Sequence, residues 1–155
     1  IRKLTLWGNL MAGGAGVEYY FGYQLPENDL ACEDFRSRER SWDYCRIALE
    51  FFRDQKIPFW EMRNADTLIG SAKNDNTRFC LSKPGEVYLV YLPTGGKTEL
   101  DLTGASGAFS VRWFNPRQGG PLQTWAVEQV AGGGKVSLGP PPVEVDDDWA
   151  VLVRK

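Results

Sequence analysis

The 155-residue sequence contains no histidine. This absence excludes Ser-His-Asp and Cys-His nucleophilic mechanisms, proton transfer by histidine and every zinc site that uses imidazole ligands. Cysteine is scarce too, because the chain has three, Cys32, Cys45 and Cys80, and no Cys-x-x-Cys pair. We interpret them as buried free thiols that act as small apolar side chains, and one disulfide with a single free thiol is the alternative.

Long apolar runs and one-sided charge are also missing. No apolar stretch approaches the ~20 residues of a membrane-spanning helix, and we expect no contact with a membrane. The 18 Lys and Arg residues and the 20 Asp and Glu residues are scattered and leave a net charge of -2, which argues against a nucleic-acid partner. No basic or apolar leader is present at Ile1, so we expect no signal peptide in this chain and expect the natural protein to start elsewhere.

Residues 1–56 have the pattern of a helix, a strand and a second helix. Apolar residues at helical spacing end at Gly13, an aromatic stretch over residues 17–21 is typical of a strand, and a second helical stripe ends before Pro58. A strand between two helices is the repeating unit of a parallel α/β structure and cannot form a closed domain alone. The predicted buried positions are Leu4, Trp7, Leu10 and Met11 in the first helix and Trp42, Cys45, Leu49 and Phe52 in the second.

Residues 57–155 have the pattern of an antiparallel β domain. Short strand-like runs alternate with turns rich in glycine and proline, which predicts a β-sandwich of about seven strands and a mainly β chain. Phe109, Val111 and Trp113 alternate with polar residues, so one face of that strand is buried. The apolar run 87–92 predicts a central strand covered on both faces. The runs are residues 78–82, 87–92, 97–102, 108–114, 124–130, 135–138 and 149–153.

Three stretches carry a resemblance to a known family: 58–62 (PFWEM), 79–93 (FCLSKPGEVYLVYLP) and 113–117 (WFNPR). They are similar to a module described as a collagen-binding domain of bacterial collagenases. The resemblance implies that this β-sandwich follows a (β/α)8 barrel of the apiosidase-like glycoside hydrolase type. It implies two domains, with residues 1–56 as the C-terminal end of the barrel and residues 57–155 as the accessory sandwich. It also implies a bacterial protein in an extracellular or periplasmic location.

The implied barrel brings carbohydrate chemistry that this chain cannot perform by itself. A glycoside hydrolase needs two carboxylates roughly 5–9.5 Å apart, and a barrel supplies its catalytic residues from the ends of several strands. Because one such strand is predicted here, we assign no catalytic residue and no cofactor. The candidate substrate-facing residues are Glu18, Tyr20, Tyr23 and Gln24; the alternative is that Glu18 pairs with an arginine and the tyrosines fill the barrel interior.

Two further groups are candidate binding residues in the β part. Trp125 is the candidate exposed aromatic residue for polymer binding, whereas alternation places Trp113 and Trp149 in the core. The acidic run 146–148 has the oxygen ligands that calcium prefers, but such a run before a strand is usually solvated. We therefore assign no metal site and keep Asp146, Asp147 and Asp148 as candidate calcium ligands only.

The segment between the two parts is too apolar for a flexible linker, because Ile57, Phe59, Trp60 and Met62 lie close together. We predict that Phe59, Trp60 and Met62 form a domain junction, with the rings of Phe59 and Trp60 buried between the second helix and the first strands.

Two functions remain open from the sequence. The first is a non-catalytic accessory module that packs on its own barrel, which is the missing partner, and stabilises it. The second is a module that binds a polysaccharide or a collagen-like polymer through exposed aromatic residues. A row of exposed aromatics on one sheet face favours the second function, and a buried aromatic set favours the first.

Overall fold

The computed structural model describes residues 1–19, 23–24, 27–28, 35–71 and 75–155. The N-terminal helix consists of a π-helical stretch, Arg2–Gly8, that continues into the short helix α1, Asn9–Met11. Helix α2 spans Glu39–Asp54, and single 3-10 turns lie at Phe35–Arg38, Phe59–Glu61 and Asp66–Ile69. None of the helices in these ranges is long and apolar enough to cross a membrane. The strands are β1 Tyr23–Gln24, β2 Glu27–Asn28, β3 Arg63–Asn64, β4 Phe79–Lys83, β5 Val87–Leu92, β6 Glu99–Asp101, β7 Ala108–Phe114, β8 Gln129–Ala131, β9 Lys135–Ser137 and β10 Trp149–Arg154.

The strands confirm a mainly β, antiparallel fold. Six of them form one sheet in the order β3-β4-β5-β10-β7-β8, β6 pairs with β9, and β1 pairs with β2 in a separate hairpin. Strand β10 lies in the middle of the large sheet, where Val151 pairs with Val90 of β5 and Trp113 of β7. The predicted run 124–130 is largely wrong, because only its end belongs to β8. Residues 124–126 are exposed and are not part of a strand.

The central strands are covered on both faces, as the apolar run 87–92 predicts. On one face of β5, Leu89 and Tyr91 share a core with the helices. On the other face, Val90 and Leu92 share a second core with Leu100 of β6. The molecule therefore has three layers: the helices, the six-stranded sheet, and the β6–β9 sheet with the Asp66–Ile69 turn. The proposed division at residues 56 and 57 stays a prediction, and the first core extends across it.

The predicted strand over residues 17–21 is wrong for the part that the structure describes. Residues 15–19 are not paired with any strand, and residues 20–22 lie outside the described residues. A β-strand requires a hydrogen-bonded neighbour. Val17 instead packs against the core that the helices share with the sheet.

The face of the N-terminal helix that packs on the sheet differs in part from the predicted one. Trp7 and Met11 are fully buried as expected, but Leu4 is exposed and Leu6 is buried in its place. The cause is the π-helical winding, in which the Leu6 N–H donates to the Ile1 carbonyl at 3.1 Å, five residues back. A 3.6-residue spacing therefore predicts the wrong neighbours in the first turn.

Helix α2 buries a different face as well. Ile47, Ala48 and Phe51 are its buried residues, whereas Leu49 is 71% exposed and Trp42 is 47% exposed. The helix carries apolar residues on two adjacent faces, so hydrophobic spacing alone does not select the one that meets the sheet.

The predicted burial of the junction aromatics is also wrong. Trp60 is 72% exposed and Phe59 is 47% exposed, while Ile57 and Met62 on either side are buried. The Phe59–Glu61 turn lifts both rings away from the sheet, where they contact each other edge-to-face with centroids 5.4 Å apart. The buried side chains of this segment are therefore those of Ile57 and Met62.

The helices are fixed to the sheet by other residues. Phe51 of α2 stacks on Phe114 of β7 with centroids 4.2 Å apart, and Trp7 stacks on Tyr91 at 5.2 Å. The Arg154 guanidinium donates to the Gln55 carbonyl at 2.8 Å, at the end of α2. A close helix–sheet contact thus exists without the rings of Phe59 and Trp60.

Candidate functional site

A buried carboxylate, Asp148, lies where the chain enters β10, and its side chain is fully shielded from solvent. Arg2 of the N-terminal helix donates to both of its oxygens, from Nε at 2.9 Å and from Nη2 at 2.7 Å. The Tyr91 hydroxyl of β5 donates to Oδ2 at 2.8 Å. Arg117 Nη1 lies 3.4 Å from Oδ1 and also donates to the Asp148 carbonyl. One carboxylate therefore joins the N-terminal helix, β5, β10 and the turn after β7.

Both arginines are held in place by their surroundings. The Arg117 backbone N–H donates to the Asn115 side chain at 2.9 Å, which fixes the turn after β7. The Arg117 guanidinium lies over the Trp149 ring, 5.2 Å from its centroid, and the Arg2 guanidinium lies 4.7 Å from the Tyr44 ring. Planar guanidinium groups match a carboxylate in a bidentate pair and also stack on aromatic faces, so this geometry uses both properties.

The charges around Asp148 balance. Arg2, Lys3 and Arg117 face Glu144, Asp147 and Asp148 in a set of ion pairs. Partial burial acts to raise the pKa of Asp147, but the Asp148 backbone N–H and the nearby cations outweigh it and lower that pKa to about 2. Burial, reinforced by Asp148, raises the pKa of Tyr91 far above its usual range. With one pKa very low and the other very high, neither group exchanges protons near neutral pH, and the arrangement is structural.

The acidic run is therefore not a simple solvated loop, and its candidacy as a calcium site stays a prediction. Asp148 is buried and bound by Arg2 and Arg117, and Asp147 pairs with Lys3 at 3.2 Å, while Asp146 is exposed. Within the described ranges, no three potential His, Cys, Asp or Glu ligands are grouped in a way that holds a metal ion. The solvated interpretation is wrong for Asp148 because its cationic partners come from distant parts of the chain.

The low pKa of Asp147 predicts a pH dependence of stability. Because the folded-state pKa of about 2 lies below the ordinary value of 3.8, this carboxylate stabilises the fold above pH ~4, and that contribution is lost as the pH falls toward ~2. We expect the melting-temperature gap between the wild type and Asp147→Asn to shrink over that interval in thermal melts. Asp146→Asn is the control, and a gap that stays constant down to pH ~2 would contradict the prediction.

The described structure does not test the candidate substrate-facing residues as a group. Glu18 is exposed, and Tyr20 lies outside the described residues. Tyr23 and Gln24 form β1, but their side chains are outside the description as well. Their role at a barrel opening stays a prediction.

The aromatic residues of residues 63–155 are buried with one exception. Trp113 and Trp149 are completely buried and contact each other edge-to-face, which confirms their predicted core positions. Trp125 is 48% exposed. The other aromatic residues of residues 63–155 are all buried: Phe79, Tyr88, Tyr91, Phe109 and Phe114. Residues 63–155 therefore offer one exposed aromatic ring, and the other exposed rings of residues 57–155 are those of Phe59 and Trp60.

The cysteines fit the interpretation as free thiols where they are described. Cys80 is a buried free thiol, and burial raises its pKa well above the usual range. Cys45 is free and partly buried, with its thiol 3.9 Å from the Tyr19 hydroxyl. Burial is the main cause, and the neighbouring Cys45 the second, that raises the pKa of Tyr19 to about 12. Cys32 lies outside the described residues.

Sequence reasoning missed an apolar groove between the N-terminal helix and α2. It has a volume of about 260 Å³. Its walls come from both helices, and the glycine-rich segment 13–16 forms one edge. Among the described residues, the lining contains no charged side chain, and its side-chain contributors are Leu6, Leu10, Ala15, Val17, Cys45, Ala48, Leu49, Phe52, Phe59 and Leu81. The sequence carries the signal as the second apolar face of α2, the face that the hydrophobic spacing predicts to be buried.

Two solved structures share the fold of this chain. One, described as a glycoside hydrolase, is 14% identical over an alignment that covers 94% of this chain and 34% of that protein, with a TM-score of 0.70. The other is a glycoside hydrolase family 5 protein from Bacteroides vulgatus ATCC 8482. It is 15% identical, with 75% of this chain and 24% of that protein covered and a TM-score of 0.59. The chain thus spans about a third of the first protein and about a quarter of the second.

No curated protein sequence matches the chain significantly. A family model, described as "Putative collagen-binding domain of a collagenase", matches residues 64–154. The matched region contains the 79–93 and 113–117 stretches that carry the resemblance, with β4, β5 and the turn that positions Arg117. The resemblance is confirmed, and the chain belongs to this collagen-binding domain family.

Proposed function

We propose that the chain is a non-catalytic accessory module of a larger, glycoside-hydrolase-like protein, in which residues 1–56 form the end of a (β/α)8 barrel. The supporting observation is that the helices and the sheet form one body with a common core. The glycoside hydrolase with a TM-score of 0.70 aligns with 94% of the chain, so the alignment extends into the helical segment as well as the sheet. A tethered binding domain has no need of such a core with the preceding helices.

In this proposal the module stabilises the larger protein by packing. Trp7 and Phe51 anchor the helical layer on the sheet, and the Arg2–Asp148 pair links the first helix to the last strand. A sheet that is fixed to the end of a barrel in this way restricts the motion of the barrel helices it contacts. The proposal includes an extracellular setting, in keeping with carbohydrate polymers as the substrates of the larger protein.

A second candidate function, polymer binding, has one specific observation in its favour. Trp125 is 48% exposed although every other aromatic ring of residues 63–155 is buried. A ring of this kind can stack on a sugar or pack on a proline-rich polymer. A single ring offers little area, which is why the accessory function is preferred. Co-sedimentation with gelatin and with insoluble polysaccharides, comparing the wild type with Trp125→Ala and with Val143→Ala as the exposed control, separates the two functions.

The accessory function is tested by comparing this chain with the longer product of its gene. We expect the 155-residue chain to hydrolyse neither aryl glycosides nor gelatin, because a barrel enzyme takes its two catalytic carboxylates from the ends of several strands and this chain holds only the proposed end of the barrel. We expect the longer product to hydrolyse aryl glycosides and to unfold in one calorimetric transition that includes the β part.

Turnover by the short chain that is lost in Glu18→Gln would overturn the non-catalytic assignment. Two separate transitions in the longer product would instead indicate a tethered domain and favour polymer binding.

A further inference from the structure

Helix α2 is apolar around more than half of its circumference. With 3.6 residues per turn, Ile47 and Phe51 point toward the sheet, while Trp42 and Leu49 lie on the adjacent face. The remaining face carries the charges, including the Arg46–Glu50 ion pair at 2.9 Å. A helix with so wide an apolar arc is typically buried on more than one side. The sheet covers only part of this arc, and Leu49 remains 71% exposed.

The uncovered part of α2 is continuous with the apolar groove. Leu49 and Phe52 line the groove from α2, and Leu10 lines it from the N-terminal helix. The surface continues from Phe52 to Phe59, with ring centroids 6.2 Å apart, and from Phe59 to Trp60. We call this continuous region the helix-face surface: Leu10, Val17, Leu49, Phe52, Phe59 and Trp60. Apolar surfaces that extend over several neighbouring side chains mark interaction sites in soluble proteins.

We infer that the helix-face surface is the contact through which these two helices pack on an apolar face of the remaining part of the barrel in the same protein. This inference rests on the proposed function and specifies where the contact lies and what its chemistry is. Among the described residues the lining has no charged side chain, so a sugar or an anionic polymer would find few polar partners in the groove. An apolar protein face needs none and gains from the removal of both surfaces from water.

The size of the similar structures supports this choice of occupant. The chain accounts for 34% of the glycoside hydrolase that it resembles over 94% of its own length. About two-thirds of that protein therefore lies outside the alignment and is available to cover an exposed face. The helix-face surface lies on the helical layer, away from the β6–β9 sheet, and is the large apolar region of the described residues that the sheet leaves open.

Cys45 provides a probe of the contact that needs no substitution. Its thiol lines the groove and is partly exposed, whereas Cys80 is fully buried and serves as the protected reference. The experiment labels the 155-residue chain and the longer gene product with a maleimide and measures each cysteine peptide by mass spectrometry. We expect Cys45 to react at least about tenfold more slowly in the longer product, since burial limits access to the thiol. A Val143→Cys variant, at a position that is 56% exposed and outside the groove, should react equally in both.

A charge at the centre of the surface tests the same contact by stability. Leu49→Glu should leave the melting temperature of the 155-residue chain unchanged, because Leu49 is exposed there. In the longer product it should lower the melting temperature and restore the labelling of Cys45. Val143→Glu is the matched control and should change neither measurement.

The outcomes separate the inference from the function on which it rests. Equal labelling of Cys45 in both proteins, or a Leu49→Glu variant of the longer product with wild-type stability, overturns the inference while the accessory function stands. Sedimentation of the short chain as a dimer with Cys45 protected also overturns it, because a second copy is then the occupant. A gene that encodes no glycoside-hydrolase-like domain before this chain overturns the accessory function, and the inference with it.

Discussion

Replacing Asp148 with alanine is expected to destabilise the chain by about 3–5 kcal/mol, because it leaves charged partners buried without their counter-ion. The Arg2 guanidinium would lose both of its hydrogen bonds to the carboxylate, and the Tyr91 hydroxyl would lose its acceptor. Urea unfolding followed by tryptophan fluorescence measures the effect. The same variant should also loosen the N-terminal helix, which hydrogen exchange of residues 2–11 would report.

Two control variants make the Asp148 prediction specific. Asp146→Ala, at the exposed end of the same acidic run, should change the free energy of unfolding by no more than about 0.5 kcal/mol. Asp148→Asn keeps the side-chain volume and an acceptor for Tyr91 but removes the negative charge, so its loss should fall between the other two. If Asp148→Ala proves as mild as Asp146→Ala, the ion-pair network does not hold the helix to β10.

Replacing Trp7 with alanine should cost a similar amount, about 3–5 kcal/mol, by opening a cavity at the centre of the helix–sheet contact. The Trp7 ring is fully buried between Tyr91, Phe51 and Phe114. Its loss should weaken the attachment of both helices, and limited proteolysis should then cut the segment before β3 earlier than the sheet. Thermal and urea unfolding measure the loss of stability.

The controls for Trp7 use tryptophan chemistry at contrasting positions. Trp60→Ala should be nearly neutral, because that ring is 72% exposed. Trp7→Phe should cost less than Trp7→Ala, since it keeps an aromatic ring and removes an indole N–H that has no hydrogen-bond partner among the described residues. A large loss of stability in Trp60→Ala, together with a small loss in Trp7→Ala, would contradict this prediction and would indicate that Phe59 and Trp60 are the main contact between the helices and the sheet.

The long strands of the large sheet could be predicted from the sequence because they obey local rules. The run 87–92 matches β5 residue for residue, and 108–114 matches β7 with its alternating Phe109, Val111 and Trp113. Turns rich in glycine and proline separate these runs, so the side-chain alternation and the turn residues predict the same strand boundaries. The run 124–130 does not alternate strictly, and its first residues, 124–126, are exposed, so only its end belongs to a strand.

The helical part could not be read because its packing depends on distant partners. Helix α2 has two apolar faces, and only the sheet decides which one is buried. Asp148 has the sequence context of a solvated loop, and its main partner, Arg2, is 146 positions away. Trp60 is the opposite case, since its size predicts burial but the Phe59–Glu61 turn leaves it outside. Local pattern supplies candidates in such cases, and long-range contacts select among them.

The position of β10 has a consequence for folding during synthesis. It is the last strand along the described chain, yet it fills the centre of the large sheet between β5 and β7. Until β10 leaves the ribosome, β3-β4-β5 and β7-β8 are separate pieces with two open edges, which are templates for pairing with other chains. Such late, long-range closure is slow compared with local pairing. A nascent chain that stalls before residue 149 therefore exposes two unpaired strand edges, and with them the route by which this fold would aggregate.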